Sequence, residues 1–170
     1  MEAELNVAEP SVGDIMRRDV PVVTPAHSVA TVARIMAESG LPGVPVLDGD
    51  EIIGIVTESD IIAREANVDV PSVVPFLDAI FVADGGRDFD EDLRHVLAAT
   101  AGDLMTSPVY NILASATLTQ LATLMLDEKV NPVPVLNEER VLVGIVSRAD
   151  LVRVIARLEQ TSDGLETVDV

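Results

Sequence analysis

The chain contains no cysteine and no tryptophan, one tyrosine and three phenylalanines among its 170 residues. Without cysteine, neither a disulfide framework nor a thiolate zinc site can form. So few aromatic rings also argue against a base-stacking platform for single-stranded nucleic acid. Basic residues are scarce: 11 Lys and Arg face 29 Asp and Glu, for a formal net charge of -18. Most of such a surface repels a nucleic-acid backbone or an anionic membrane, so an anionic ligand has to meet a local exception. No apolar run reaches the roughly 18 residues of a membrane span, and the longest candidate, Ser72 to Ala83, is interrupted by Pro75 and Asp78. The opening Met1-Glu2-Ala3-Glu4 lacks the positive n-region of a signal peptide, and the expectation is a soluble cytoplasmic protein. His27 and His95 stand alone in the sequence, with no ligand pattern around them, so no metal site is expected. No nucleophile with an attendant base, P-loop or dinucleotide fingerprint occurs either, and this speaks against an enzyme.

What the chain does have is a repeat. A shift of 89 residues superposes Gly13-Asp14-Ile15-Met16 on Gly102-Asp103-Leu104-Met105, Ala33 on Ala122, Met36 on Met125, and Val44-Pro45-Val46-Leu47 on Val133-Pro134-Val135-Leu136. One extra residue in the second copy then makes the shift 90, and Gly54-Ile55-Val56-Thr57-Glu58-Ser59-Asp60 falls on Gly144-Ile145-Val146-Ser147-Arg148-Ala149-Asp150. Matched Gly, Pro and Asp at fixed offsets identify a duplication, because interchangeable aliphatics alone would not hold such positions in register.

Each copy reads as strand, helix, strand, strand, helix. In the first, Val20 to Val23 is a short extended segment, Ser28 caps a helix with Val29, Val32, Ala33 and Met36 on its apolar face, and Gly40 stops it. Val44 to Leu47 and Ile52 to Val56 then flank Asp48-Gly49-Asp50 as a hairpin, and Thr57 or Ser59 caps a second helix. The second copy repeats this with Thr117 as cap, strands at Val133 to Leu136 and Val141 to Val146, and a last helix from about Ala149 to Leu158. Copies of about 50 residues are too small to be comfortable alone, so the two are expected to pack on each other.

The resulting division is residues 1–64 for the first repeat with its N-terminal segment, 65–99 for a connector, 100–158 for the second repeat and 159–170 for an acidic C-terminal tail. The connector carries all three phenylalanines, Phe76, Phe81 and Phe89, and a capping-box pattern at Asp88-Phe89-Asp90-Glu91. These rings either anchor the connector on the sheet or a partner subunit or line a ligand pocket. The tail is expected to be frayed.

The order of a Gly-Asp-Ile-Met opening, a Pro-Val strand and Gly-Ile-Val-Thr/Ser-x-x-Asp leading into a helix resembles the CBS domain, and two copies resemble a CBS pair, or Bateman module. The resemblance implies an α/β (α+β) fold of two tandem β-α-β-β-α repeats packed as a pseudo-twofold pair, with two clefts, often joined into a dimer. It also implies a regulatory rather than catalytic role: sensing an adenosine-containing ligand such as AMP, ADP, ATP or S-adenosylmethionine and signalling by conformational change to an unknown effector protein. A ligand-free dimeric interaction scaffold is the alternative.

By the same resemblance Asp60 and Asp150 are the ribose residues, and Thr57 and Ser147 the phosphate-side residues. A carboxylate can take both ribose hydroxyls, and the free N–H groups of a helix start suit a phosphate. The bland reading is that the hydroxyls are N-caps and the aspartates favour the helix dipole. Walls for the adenine are expected from Val22 to Thr24, Asn111 to Leu113, Leu41-Pro42-Gly43-Val44 and Val130-Asn131-Pro132-Val133. Between hydroxyl and Asp the first copy carries Glu58 and the second Arg148, which can pair bidentately with a phosphate. The expectation is therefore that the cleft using Ser147, Arg148 and Asp150 takes the phosphorylated ligand, while Thr57 and Asp60 serve a weak or less anionic site. Arg17 and Arg18 either add positive charge to one cleft or form a solvated pair.

Overall fold

The computed structural model describes residues 10–67 and 99–163. Phe76, Phe81, Phe89, His95, most of the connector and the end of the tail lie outside them. Eleven elements follow along the chain: α1 (Val12–Ile15), α2 (Val29–Ser39), β1 (Gly43–Asp48), β2 (Glu51–Thr57), α3 (Glu58–Asn67), α4 (Ala101–Leu104), β3 (Ile112–Leu113), α5 (Leu118–Asp127), β4 (Val133–Leu136), β5 (Leu142–Val146) and α6 (Arg148–Asp163). The last helix passes the end expected near Leu158, so residues 159–163 are helical and do not belong to a frayed tail.

The local causes are those the sequence suggests. The Ser28 hydroxyl accepts from the Thr31 amide at 3.2 Å, and α2 ends at Gly40, whose φ of 66° is the left-handed conformation that glycine adopts at least cost. At the start of α5, Thr117 and Gln120 form a reciprocal capping box. Asp48 pairs with Glu51 across a two-residue Gly49-Asp50 turn, with Gly49 again at positive φ. Both hairpins carry a register irregularity at the same repeat position, between Val46 and Leu47 in one and Val135 and Leu136 in the other. The opening strand is shorter than expected. In the second repeat it is the two-residue β3, parallel to β4, and in the first it shrinks to one parallel bridge, Val23 with Val46. Pro21 and Pro25 flank that bridge and supply no backbone N–H to extend it.

Two hydrophobic clusters form the core, one around Val32, Val44, Val46 and Val56, the other around Leu121, Val133, Val135 and Val146. Chain order and packing order differ at the start of each repeat. Val12, Ile15 and Met16 pack into the cluster of the second repeat, whereas Ala101, Leu104 and Met105 pack into that of the first. Backbone bonds fix the exchange: Val12 and Gly13 donate to Ala116 and Ala114, and Ala101 and Gly102 donate to His27 and Pro25, all at 2.7–2.9 Å. Arg17 then pairs antiparallel with Ile145 of β5, and Thr106 with Ile55 of β2. Glycine is required where the exchanged segments cross the hairpins, because a Cβ at Gly54 would collide with the Met105 side chain and one at Gly144 with that of Met16. Gly43 meets Pro132, its counterpart under the 89-residue shift, and matched positions touch each other only on a twofold axis. The molecule is thus a mixed α/β pseudo-twofold pair whose repeats each complete the other.

Candidate functional site

At the start of α3, the Thr57 amide and hydroxyl both donate to Asp60 Oδ2 at 2.7 Å. At the start of α6, Ser147 does the same toward Asp150 Oδ2, at 3.0 and 2.7 Å. Two further hydroxyl-x-x-Asp stretches, Ser11 to Asp14 and Thr100 to Asp103, make the same pair of bonds at the short helices α1 and α4. The spacing is therefore a helix-start device in all four places, since a carboxylate at the third helical position reaches back to the unsatisfied cap amide. Thr57 and Ser147 spend their hydroxyl protons on their own aspartates. What makes one such carboxylate a candidate binding group is its surroundings.

Those surroundings differ. Asp150 is 6% exposed, and its Oδ1 is held by Arg153 Nη1 at 2.7 Å and faces Arg17 Nε at 3.5 Å. Burial pushes its carboxyl up, but the Ser147 amide and hydroxyl, Arg153 and Arg17 outweigh it and hold it below the usual carboxylate value. Asp60 is half-buried, no ion pair among the described residues involves it, and its Oδ1 accepts no hydrogen bond from them.

A cleft of about 410 Å³ opens beside Thr57, within the range of small-molecule sites. One wall comes from the first repeat, with Pro42, Ile55, Thr57, Glu58 and Ser59; the other comes from the second, with Thr106, Pro108 to Tyr110, Glu128 to Pro132, and Arg148. The crossing of Thr106 onto Ile55 joins the two walls. Arg148 is oriented by its amide bond to Asn131 Oδ1 and by its guanidinium bond to the Met125 carbonyl. A second cleft, about 510 Å³ and more open, lies around Arg17, Arg18, Asp19, Pro21, Ser39 and Leu41. These residues match the Thr106 to Tyr110 and Glu128 to Val130 wall under the repeat shift.

Several expected site residues are thus redistributed. Arg148 lines the same cleft as Thr57 and Glu58, not a separate one with Ser147 and Asp150, because the strands exchange walls between repeats. Asn131 and Pro132 line it too. Val44 and Val133 are fully buried within their strands and line neither cleft. Thr24 turns away, its amide donating to His27 Nδ1 and its hydroxyl bonded to the same nitrogen. Arg17 and Arg18 are no solvated pair: Arg17 also donates to the Ser39 carbonyl, and Arg18 to that of Gly13. Sequence reasoning missed Thr106, Pro108, Tyr110, Glu128 and Lys129. Tyr110 carried a usable signal, being the only tyrosine, at a position where the first repeat has Pro21. Its hydroxyl bonds Glu128, which raises its pKa, with the nearby negative charge adding to the effect.

Two repeats that exchange their opening segments, with a cleft on each side of a pseudo-twofold axis, define a tandem-repeat module. The CBS domain family matches residues 12–67 and 101–157, and the chain belongs to it. It is 31% identical over 147 residues to the protein MJ1426 of Methanocaldococcus jannaschii, covering 82% of this chain and 87% of that one. Chloroplastic CBSX2 of Arabidopsis thaliana is 27% identical over 164 residues, which span 90% of this chain and 66% of that protein. A crystal structure of CBSX2 in complex with AMP superposes with a TM-score of 0.64 at 25% identity, covering 88% of this chain and 98% of that one. Among the described residues no helix is long and apolar enough to cross a membrane, and no group of three or more His, Asp or Glu is placed to hold a metal ion.

Proposed function

We propose that this CBS pair is a regulatory module that binds an adenosine-containing nucleotide in the cleft between Thr57 and Asn131. The observation that carries the reading is the Asp60 carboxylate: one oxygen is fixed by Thr57, the other accepts no bond from the described residues, and the helix start that carries it lines a nucleotide-sized cleft through Thr57, Glu58 and Ser59. That open oxygen can accept the ribose hydroxyls. Arg148 and Lys129 supply positive charge for phosphate in an otherwise acidic protein, and Pro42, Ile55, Val130 and Pro132 supply apolar surface for the base. AMP bound to a relative of the same fold supports the ligand class. ADP, ATP and S-adenosylmethionine carry the same adenosyl group and belong in the same test.

A ligand held by both walls favours whichever arrangement of the two repeats brings them together, and an effector protein that discriminates between arrangements would read the nucleotide. Ile62 on α3 and Val152 and Ile155 on α6 expose apolar side chains, and a homodimer through these helices is part of the proposal. The same residues favour the second reading, a dimeric interaction scaffold that needs no ligand.

The test is a thermal-shift series with AMP, ADP, ATP and S-adenosylmethionine, confirmed by calorimetry, on the wild type and Asp60→Ala. A ligand at 100 times its Kd adds about 2.7 kcal/mol, hence several degrees in Tm. A shift that Asp60→Ala abolishes supports the sensor. Flat melting curves with all four ligands, and no heat of binding, would leave the scaffold.

A further inference from the structure

We propose that Arg17 acts as an internal ligand for Asp150 and occupies the ribose position of the second cleft, so that each chain binds one nucleotide rather than two. The inference rests on the reading that an open aspartate at a helix start receives the ribose. An ionised carboxylate offers about four acceptor positions, two on each oxygen. In Asp150 the amide and hydroxyl of Ser147 take Oδ2, Arg153 bonds Oδ1 at 2.7 Å, and Arg17 faces the same oxygen as an ion-pair contact at 3.5 Å. In Asp60 only Oδ2 is taken among the described residues.

The difference arises at two matched pairs of positions: Arg153, on the aspartate's own helix, stands where the first repeat has Ala63, and Arg17, on the segment that crosses from the other repeat, stands where the second has Thr106. Arg17 and Thr106 are equivalent under the repeat shift, and each pairs its backbone with the hairpin of the opposite repeat, Arg17 with Ile145 and Thr106 with Ile55. From that shared backbone position a guanidinium reaches the aspartate of the neighbouring helix, whereas the bonds to Asp60 from the described residues come from Thr57 and not from Thr106. Arg17 is steadied from a third side by its bond to the Ser39 carbonyl at 3.1 Å. Its side chain is 39% exposed, so it can swing into solvent, but any ribose entering the second cleft has to displace it. The apparent Kd there rises by the inverse of the fraction of time that Arg17 is away.

Arg17→Thr places in the first repeat the side chain that the second repeat already carries at the same backbone position, so the backbone pairing is expected to survive. Calorimetric titration of the full-length chain with AMP should give one site in the wild type, two in Arg17→Thr, and one again in Arg17→Thr combined with Asp60→Asn. Two sites in the wild type, or one in Arg17→Thr, would overturn the latch while leaving the sensor reading intact. Should neither protein bind AMP, the sensor reading fails, and the latch is decided without nucleotide by following the Asp150 carboxyl carbon in an NMR pH titration. Its midpoint should rise in Arg17→Thr; an unchanged midpoint means that Arg17 does not hold the carboxylate.

Discussion

The two clefts use the same helix-start carboxylate and differ in the charge brought to it, by Arg153 on its own helix and by what the opposite repeat supplies. At Asp60 the crossing segment offers Thr106, and one oxygen accepts no bond from the described residues, whereas at Asp150 it offers Arg17, an ion-pair contact at 3.5 Å to an oxygen that Arg153 already holds. Two arginines are placed inversely to the repeat they are written in. Arg148 belongs to the second repeat yet lines the cleft of Thr57, and Arg17 belongs to the first yet reaches the aspartate of the second. The lesson is that in a pair with exchanged openings, a cleft is a property of both copies. Reading either copy alone assigns these two charges to the wrong side.

The exchange is the part of this comparison that substitution can break most strongly. Gly54→Val and Gly144→Val each put a branched side chain where Met105 or Met16 now lies, with the Arg17 carbonyl a further 3.0 Å neighbour at Gly144. Overpacking of this kind costs about 1–3 kcal/mol, to be read from urea unfolding. The two variants should lose similar stability but differ in binding. Gly54→Val disturbs the Ile55 and Thr106 crossing and weakens AMP binding, and Gly144→Val disturbs the Arg17 and Ile145 crossing and leaves it intact. Equal loss of AMP binding in both would mean that the two clefts are not independent.

Much of the fold was legible because it depends on local chemistry: Ser28 and Thr117 as caps, Gly40 as a stop and Gly49 in a hairpin turn all act within a few residues of themselves. The aspartates of the candidate site were legible for the same reason, as part of a spacing that closes on its own helix. What the sequence could not carry was which helix start faces which wall. That depends on α1 and α4 crossing to the opposite repeat, a long-range choice made by burying Val12 and Ala101. Nor could apolar type separate Val44 and Val133, which fill the core, from Pro42 and Pro132. Only strand register decides which of two neighbouring apolar residues faces a cleft.

Charge at the first cleft offers a sharper and smaller test. Glu58 and Arg148 lie on the same cleft, both exposed, so each should act on the same bound phosphate with opposite sign. Arg148→Glu is expected to weaken AMP binding about tenfold, or about 1.4 kcal/mol. Glu58→Arg should strengthen it by a factor of about three to five, the usual worth of an exposed pair. Adenosine, which lacks the phosphate, should be indifferent to both changes. A response of adenosine equal to that of AMP would show that these residues act on folding or on the base, and calorimetry with the two ligands separates the cases.

The smallest expected effect concerns acid. Because Ser147, Arg153 and Arg17 together hold the Asp150 carboxyl below its ordinary value despite burial, the folded state binds this proton less readily than the unfolded chain does. Its stabilising contribution is therefore complete above the unfolded carboxylate pKa and is lost as pH falls through the lower folded value, a window below about pH 4. With the Arg17 and Arg153 side chains 39% and 59% exposed, solvent screens both contacts and the amount is discounted to about 1 kcal/mol. Asp150→Asn removes the titration, so its stability should start lower near neutrality and fall less steeply in acid than that of the wild type. Asp14 and Asp103, also held low by hydrogen bonds from Ser11 and Thr100, titrate in both proteins and cancel in the difference. Urea midpoints measured from pH 7 down to pH 3 read that difference directly, and parallel curves would mean that Asp150 is no more tightly held than an ordinary surface carboxylate.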